Sequence, residues 1–356
     1  MTAAPAIDVV VVSYDSGDDL PPLFEHLLPQ LRPADTVTIV DNHGADGVAA
    51  IVGEIAPQAR VLAPGTNTGF AGGTNAGVQA GDAPLVLLLN PDAVPAPGAF
   101  DALRAVAAAE PKWGAWQALV TMDGGERINT AGNVAHVLGL GWAGRCGEPV
   151  TDAPKERERC ATVSGAAMVV RREVWEQLGG FDERFFMYCE DQDLSLRIRL
   201  AGWELGIEPA ARVDHGYDFG KGSGKWELLE RNRWWTVLST YPARVLWPLL
   251  PLLVLFDLAL LPVAAAGGWL GPKLRAQTGG HAQPPGDPSA PPDGAGNGGN
   301  LTGSVRGGAF DRARLAVPRR RRPRAWGRGG AQRVLGARAA TSLSVRSSTS
   351  PIACQS

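Results

Sequence analysis

The sequence predicts an α/β fold with a mostly parallel central sheet, and three observations carry that prediction. The run Leu85-Val86-Leu87-Leu88-Leu89 is continuously apolar, as a strand buried on both faces of a parallel sheet must be. Strand-like runs alternate with helical patterns over residues 7–109, the rhythm of βαβ units. Polar and acidic residues stand directly after these runs, at Ser13-Tyr14, Asp41-Asn42 and Asn90-Pro91-Asp92. That is where an open α/β sheet binds its ligands.

The elements follow in order. Residues 7–13 read as a first strand, and 20–31 as a helix entered through Pro21-Pro22. Residues 36–40 form a second strand, 48–55 a helix and 61–62 a short strand. The Gly/Asn-rich stretch 67–77 reads as a loop running into a helix over 74–80. Its glycines would let backbone approach a ligand, and the helix N-terminus would favour an anion. After the 85–89 strand comes a helix over 100–109. Residues 112–162, with Trp113, Trp116, Trp142 and many glycines, predict short irregular strands. Residues 163–170 read as a strand, 172–178 as a helix and 191–200 as a charge-rich helix.

Residues 246–270 are apolar, interrupted by Asp257, Pro248, Pro251 and Pro262. The stretch is long enough to cross a bilayer. A carboxylate at mid-depth costs about 2.5–3.5 kcal/mol on insertion scales, and the prolines disfavour one long internal helix. A membrane-associated segment is expected, either kinked and re-entrant or spanning. Beyond residue 276 Gly, Pro, Ser and Arg dominate without apolar periodicity, a composition that predicts a disordered tail.

The formal net charge of −2 hides a split. Residues 274–356 hold 13 Arg, no Lys and 3 Asp, whereas residues 1–273 hold 21 basic against 33 acidic groups. The acidic body argues against nucleic-acid binding, so a polyanionic ligand there needs a metal or a local basic loop. The four cysteines show no metal-binding spacing. No basic segment precedes the first strand, so no secretory leader is expected and a cytoplasmic setting is the default.

The chemistry concentrates in a few places. Asp92 and His215 together would suit Mg²⁺ or Mn²⁺, whose remaining ligands would be diphosphate oxygens and water. Glu190, Asp191 and Asp193 precede a helix, where acids favour the positive end of the dipole, and Asp193 and Arg197 make an i,i+4 pair. That accounts for Asp193. It leaves Glu190 and Asp191 beside Phe185-Phe186-Met187-Tyr188, a setting in which a partly desolvated carboxylate can act as a base. Gly220-Lys221-Gly222-Ser223-Gly224-Lys225 lacks the phosphate-loop ending and reads either as a basic flap over a diphosphate or as a plain flexible loop. Gly69, Gly72, Gly73 and Gly77 do not fit the dinucleotide fingerprint, which argues against a nicotinamide oxidoreductase.

Residues 9–14, Val40-Asp41-Asn42, 65–77, Asn90-Pro91-Asp92, Gly179-Gly180-Phe181-Asp182-Glu183, 185–194 and Asp214-His215 occur in the order seen in glycosyltransferase family 2. The chain resembles its bacterial rhamnosyltransferase-like members over roughly residues 6–250. The resemblance implies a GT-A fold over 1–245, with a nucleotide-sugar half to about residue 110 and an acceptor half after it. The apolar segment 246–272 and the tail 273–356 follow. It implies inverting transfer from a nucleotide-diphosphate sugar, rhamnose from dTDP-rhamnose above all, to a lipid-linked or polymeric envelope glycan at the cytoplasmic membrane face. A UDP-hexose or galactofuranose donor, or an inactive nucleotide-binding scaffold, is the alternative. By the same resemblance Asp41, Ser13 and Tyr14 would line the pyrimidine site, and Asn67, Gly69 and Asn75 the donor. Lys221 and Lys225 would cover the diphosphate, and Asp92 and His215 would hold the metal. Asp191 would be the catalytic base, with Glu190 and Asp193 orienting hydroxyls. The family's Asp-x-Asp motif reads Asn90-Pro91-Asp92 here, so its first carboxylate is missing.

Overall fold

Alternate residues of the two central strands bury themselves on opposite faces of one sheet. The computed structural model describes residues 4–42, 46–216 and 225–278. In chain order the elements are β1 (Ile7–Ser13), α1 (Leu20–Leu27), β2 (Thr36–Asp41), α2 (Val48–Ile55), β3 (Arg60–Leu62), α3 (Gly69–Gln79) and β4 (Leu85–Leu89). Then come β5 (Ala93–Pro95), α4 (Ala99–Ala109), β6 (Trp113–Met122), β7 (Arg127–Thr130), β8 (Asn133–Ala135), β9 (Gly141–Ala143), β10 (Glu158–Arg159) and β11 (Ala167–Arg171). The C-terminal part holds α5 (Arg172–Leu178), α6 (Glu190–Leu200), β12 (Glu204–His215), α7 (Lys225–Thr240), α8 (Ala243–Ala266) and α9 (Leu270–Gln277).

The main sheet runs β10-β12-β6-β11-β4-β1-β2-β3, with β5 and β7 added on β12 and β6. Its first half is parallel throughout, and β11 enters antiparallel between β4 and β6. Val9 and Val11 with Leu85, Leu87 and Leu89 pack under the layer that includes α1, α2 and α4. Val10, Val86 and Leu88 pack on the other face with residues of α3, α5 and α6. The apolar run thus serves two cores at once. On the Val10 face Arg172 Nη2 donates to the buried Asp8 Oδ2 at 2.6 Å, fixing α5 to the start of β1.

The structure departs from the sequence expectation in several places. Helix α3 begins at Gly69, five residues before the expected start at Thr74, so the glycine-rich stretch is mostly helix. The reason is contact with the sheet. A Cβ on Gly77 would stand 2.4 Å from Val10 Cγ1, so the small residue lets α3 lie flush on β1. Residues 112–162 contain, besides short strands, the buried ten-residue β6. Finally, 243–266 form one continuous helix through all three prolines. Among the described residues α8 is the one helix long and apolar enough to cross a membrane, with mean hydropathy 2.3 and 17% of that window buried. The tail beyond residue 278 lies outside the described residues.

Candidate active site

The C-terminal ends of β1, β2 and β4 and the N-terminus of α6 meet at one edge of the sheet. Ser13 and Asp41 are in register across β1 and β2, both buried, and Tyr14 beyond them is exposed. Asn42 Nδ2 donates to Gly69 O at 2.9 Å, and Asn42 Oδ1 accepts from Thr68 Oγ1 at 2.9 Å, which ties the end of β2 to the start of α3.

Three residues expected along the donor hold the protein to itself. Asn67 Oδ1 accepts from the Gly69 N–H at 2.8 Å. Gly69 has φ +72°, and a Cβ there would stand 2.3 Å from Phe186 O, so the glycine makes room for protein backbone. Asn75 clasps Phe181 by accepting from its N–H at 3.0 Å and donating to its carbonyl at 2.9 Å, and it also donates to Glu183 Oε1. It staples α3 to the segment after α5. Lys225 opens α7, and Lys221 lies outside the described residues.

At the end of β4 the Asn90 N–H donates to Ala166 O at 3.0 Å. The chain then turns into β5, which pairs antiparallel with β12 so that Ala93 stands opposite His215. This pairing brings His215 Nε2 to 3.1 Å from Asp92 Oδ1 and 3.2 Å from Asn90 Nδ2. The neighbouring Asp214 accepts from Thr121 Oγ1 at 2.8 Å and from the Gly125 N–H at 2.9 Å, pinning the strand end. The imidazole is buried, while the Asp92 side chain is 30% exposed and reachable from outside. One nitrogen and one carboxylate oxygen at this spacing fit a divalent cation that takes its remaining ligands from phosphate and water. Among the described residues no group of three or more His, Cys, Asp or Glu is arranged to hold a metal ion, so the protein's share would be these two.

The acidic cluster is built on strained backbone. Phe186, Tyr188 and Cys189 have φ of 62°, 73° and 65°. Such conformations cost roughly 1–3 kcal/mol each and persist only where surroundings enforce them. The enforcing residue is Asn232, whose Nδ2 stands 2.9, 2.8 and 2.7 Å from the carbonyl oxygens of Phe185, Met187 and Tyr188, which share its two N–H hydrogens. Arg231 Nη2 adds a bond to Phe185 O at 3.0 Å. Sequence reasoning missed Asn232. Its one signal was a poor helix former at the centre of a helix-forming run.

From this turn α6 projects Asp191 back toward β11. Asp191 Oδ2 accepts from the Gly165 N–H at 3.0 Å and Oδ1 from the Gln192 N–H at 2.6 Å. Gly165 adjoins Ala166, the partner of Asn90, so a short chain of bonds links Asp191 to the Asp92 turn. Burial pushes the Asp191 carboxyl above the usual range, and the two backbone N–H groups pull part of the way back. Glu190 is pushed well above it by burial and by the neighbouring Asp191 charge. Both carboxyls therefore hold a proton more readily than free ones, Glu190 the more strongly displaced of the two. Glu190 Oε2 is buried without a hydrogen-bond partner among the described residues.

Asp193 is engaged elsewhere. Its Oδ2 accepts from Arg197 Nε at 2.7 Å and its Oδ1 from Ser239 Oγ at 3.0 Å, which locks α6 to α7. Two positions along a helix is a rotation of about 200°, so Asp191 and Asp193 project differently.

Comparison with known proteins places the family and the fold. The sequence pattern described as glycosyltransferase-like family 2 matches residues 5–236. An N-acetylglucosaminyl-diphospho-decaprenol L-rhamnosyltransferase of Mycobacterium tuberculosis is 34% identical over 236 residues, covering 59% of this chain and 75% of that protein. The rhamnosyltransferase WbbL of Escherichia coli is 44% identical over 69 residues, 18% of this chain and 26% of that protein. Among solved structures, GalNAc-T7 with UDP, GalNAc and Mn²⁺ superposes with TM-score 0.56 at 15% identity, covering 67% of this chain. The chain spans 48% of that structure's length, and the likeness is one of fold. This chain belongs to the glycosyltransferase-like family 2 and is a rhamnosyltransferase-like glycosyltransferase of GT-A fold.

Proposed function

We propose that this enzyme transfers rhamnose, with inversion, from dTDP-rhamnose to a lipid-linked glycan at the cytoplasmic face of a membrane. The observation that carries the reading is the convergence of Asp92, His215 and Asp191 at one sheet edge, linked through Asn90, Ala166 and Gly165. The relatives' names support the sugar and the lipid-linked acceptor.

An acceptor hydroxyl is too weak an acid to ionise at neutral pH. Asp191 takes its proton while the oxygen attacks the anomeric carbon, and one in-line displacement inverts that centre. Glu190 holds its own proton and offers it to a hydroxyl oxygen. Ser13, Tyr14 and Asp41 line the base, and Asn67, Gly69, Asn75 and Asp193 keep the surrounding loops and helices in place. Asp92 and His215 would hold Mg²⁺ or Mn²⁺, which supplies positive charge for the departing diphosphate. Lys221 and Lys225 lie in sequence next to that region and add charge. In this reading residues 1–245 form the catalytic domain. The exposed apolar side of α8, with Trp247 and Leu255, rests in the membrane surface.

Donor competition tests the claim. Purified enzyme with a lipid-linked acceptor is expected to turn over dTDP-rhamnose and to ignore UDP-hexoses. Activity with a UDP-sugar and none with dTDP-rhamnose would end the rhamnose assignment.

A further inference from the structure

A cavity of about 170 Å³ opens between the N-terminus of α6, the β8–β9 hairpin and helices α7, α8 and α9. Its lining is mixed. Asp191, Glu230 and Arg233 line it together with the apolar Phe256, Leu260 and Val263 of α8 and the Trp269 ring. We propose that this cavity is the acceptor subsite for an amphipathic, prenyl-linked glycan. The acceptor's terminal sugar ring sits against Asp191, and its apolar chain leaves along α8. The inference rests on the lipid-linked acceptor proposed above and adds the route by which that acceptor reaches the base.

Three observations support the route. The volume is that of a site for one ring, since an apolar cavity of roughly 150 Å³ takes a benzene molecule. The apolar wall is preformed. Asp257 fixes α8 from within by accepting from Arg233 and, at 2.8 Å, from Trp234 Nε1, while Lys273 Nζ of α9 lies 3.5 Å away. Trp269 stacks on Trp226 with ring centroids 4.8 Å apart, a stiff aromatic surface that suits the apolar face of a sugar or a prenyl branch. Lastly, the cavity reaches the surface at an apolar position of α8, since Val263, which lines it, is 46% exposed. The same lining also holds the charged Glu230 and Arg233.

The experiment uses the full chain, dTDP-rhamnose and two acceptors with the same N-acetylglucosaminyl diphosphate head, one ending in a farnesyl chain and one in a methyl group. Val263→Glu places a charge at the exit of the cavity on an already exposed position, where folding tolerates it. The expected result is a KM at least tenfold higher for the farnesyl acceptor, with the methyl acceptor's KM nearly unchanged. Equal changes for both acceptors, or no change for either, would overturn the route. Wild-type enzyme that transfers to neither acceptor would instead overturn the lipid-linked acceptor reading itself. A farnesyl analogue carrying a photoreactive tip gives an independent answer on the unmodified protein. Labelling within α8 supports the route, and labelling confined to other elements contradicts it.

Discussion

Asp191 and Asp257 are both buried carboxylates near the same cavity, yet the protein treats them in opposite ways. Asp257 sits within a balanced group: Arg233 and Lys273 face Asp257 and Glu230, and the Trp234 indole and Gln277 amide donate to its Oδ2 at 2.8 and 2.9 Å. Asp191 has two backbone N–H donors and, among the described residues, no cation in hydrogen-bond contact, with Glu190 beside it. Equal burial therefore yields a structural lock in one case and a proton acceptor in the other. What separates them is the supply of positive charge. Burial raises the proton affinity of Asp191, and its backbone N–H donors offset only part of that rise.

That contrast can be broken in several ways. The largest effect should come from chelation. In this account most of the charge offsetting the departing diphosphate comes from what Asp92 and His215 hold. Excess EDTA should lower turnover on the order of 10³-fold or more, restored by Mn²⁺ or Mg²⁺. Full activity in EDTA would remove the metal from the account. Next comes Asp257→Ala, which leaves Arg233 and Lys273 with Glu230 alone. Unfolding free energy should fall by about 3–5 kcal/mol, read in urea, and the double change Asp257→Leu with Lys273→Met should recover much of it. Gly69→Ala should cost less, about 1–3 kcal/mol, through the left-handed backbone and the clash with Phe186 O.

The smallest effect concerns pH and stability. Because burial raises the carboxyl pKa values of Asp191 and Glu190, the folded chain keeps protons that the unfolded chain releases. Their contribution to stability is fullest below the ordinary carboxylate pKa and is lost as pH rises through the raised values. Glu190→Gln should flatten that part of the stability–pH curve, and an unchanged slope would show that Glu190 does not hold the proton.

Much of this was legible in the sequence. The Leu85–Leu89 run announced a strand buried on both faces, as it is. Contacts made by folding were not legible. Strand β12 was not read at all, because Glu208 and Pro209 look wrong for a central strand. In the structure Glu208 is neutralised by Arg157, and Pro209 falls in the register shift between Glu208 and Arg212. Helix α7 was hidden because Trp, Arg and Glu surround it on all sides, so it has no apolar stripe to read. The roles of Gly69 and Asn75 were obscured for a related reason. Glycine and asparagine suit both a ligand and a tight protein contact, and only the position of Phe181 and Phe186 distinguishes them.

The most direct test of the central claim is Asp191→Asn, measured for turnover and for dTDP-rhamnose affinity on the same preparation. The account predicts a fall in turnover of about 10²- to 10⁴-fold with donor affinity essentially unchanged. Wild-type turnover in this variant would contradict the assignment of Asp191 as the base.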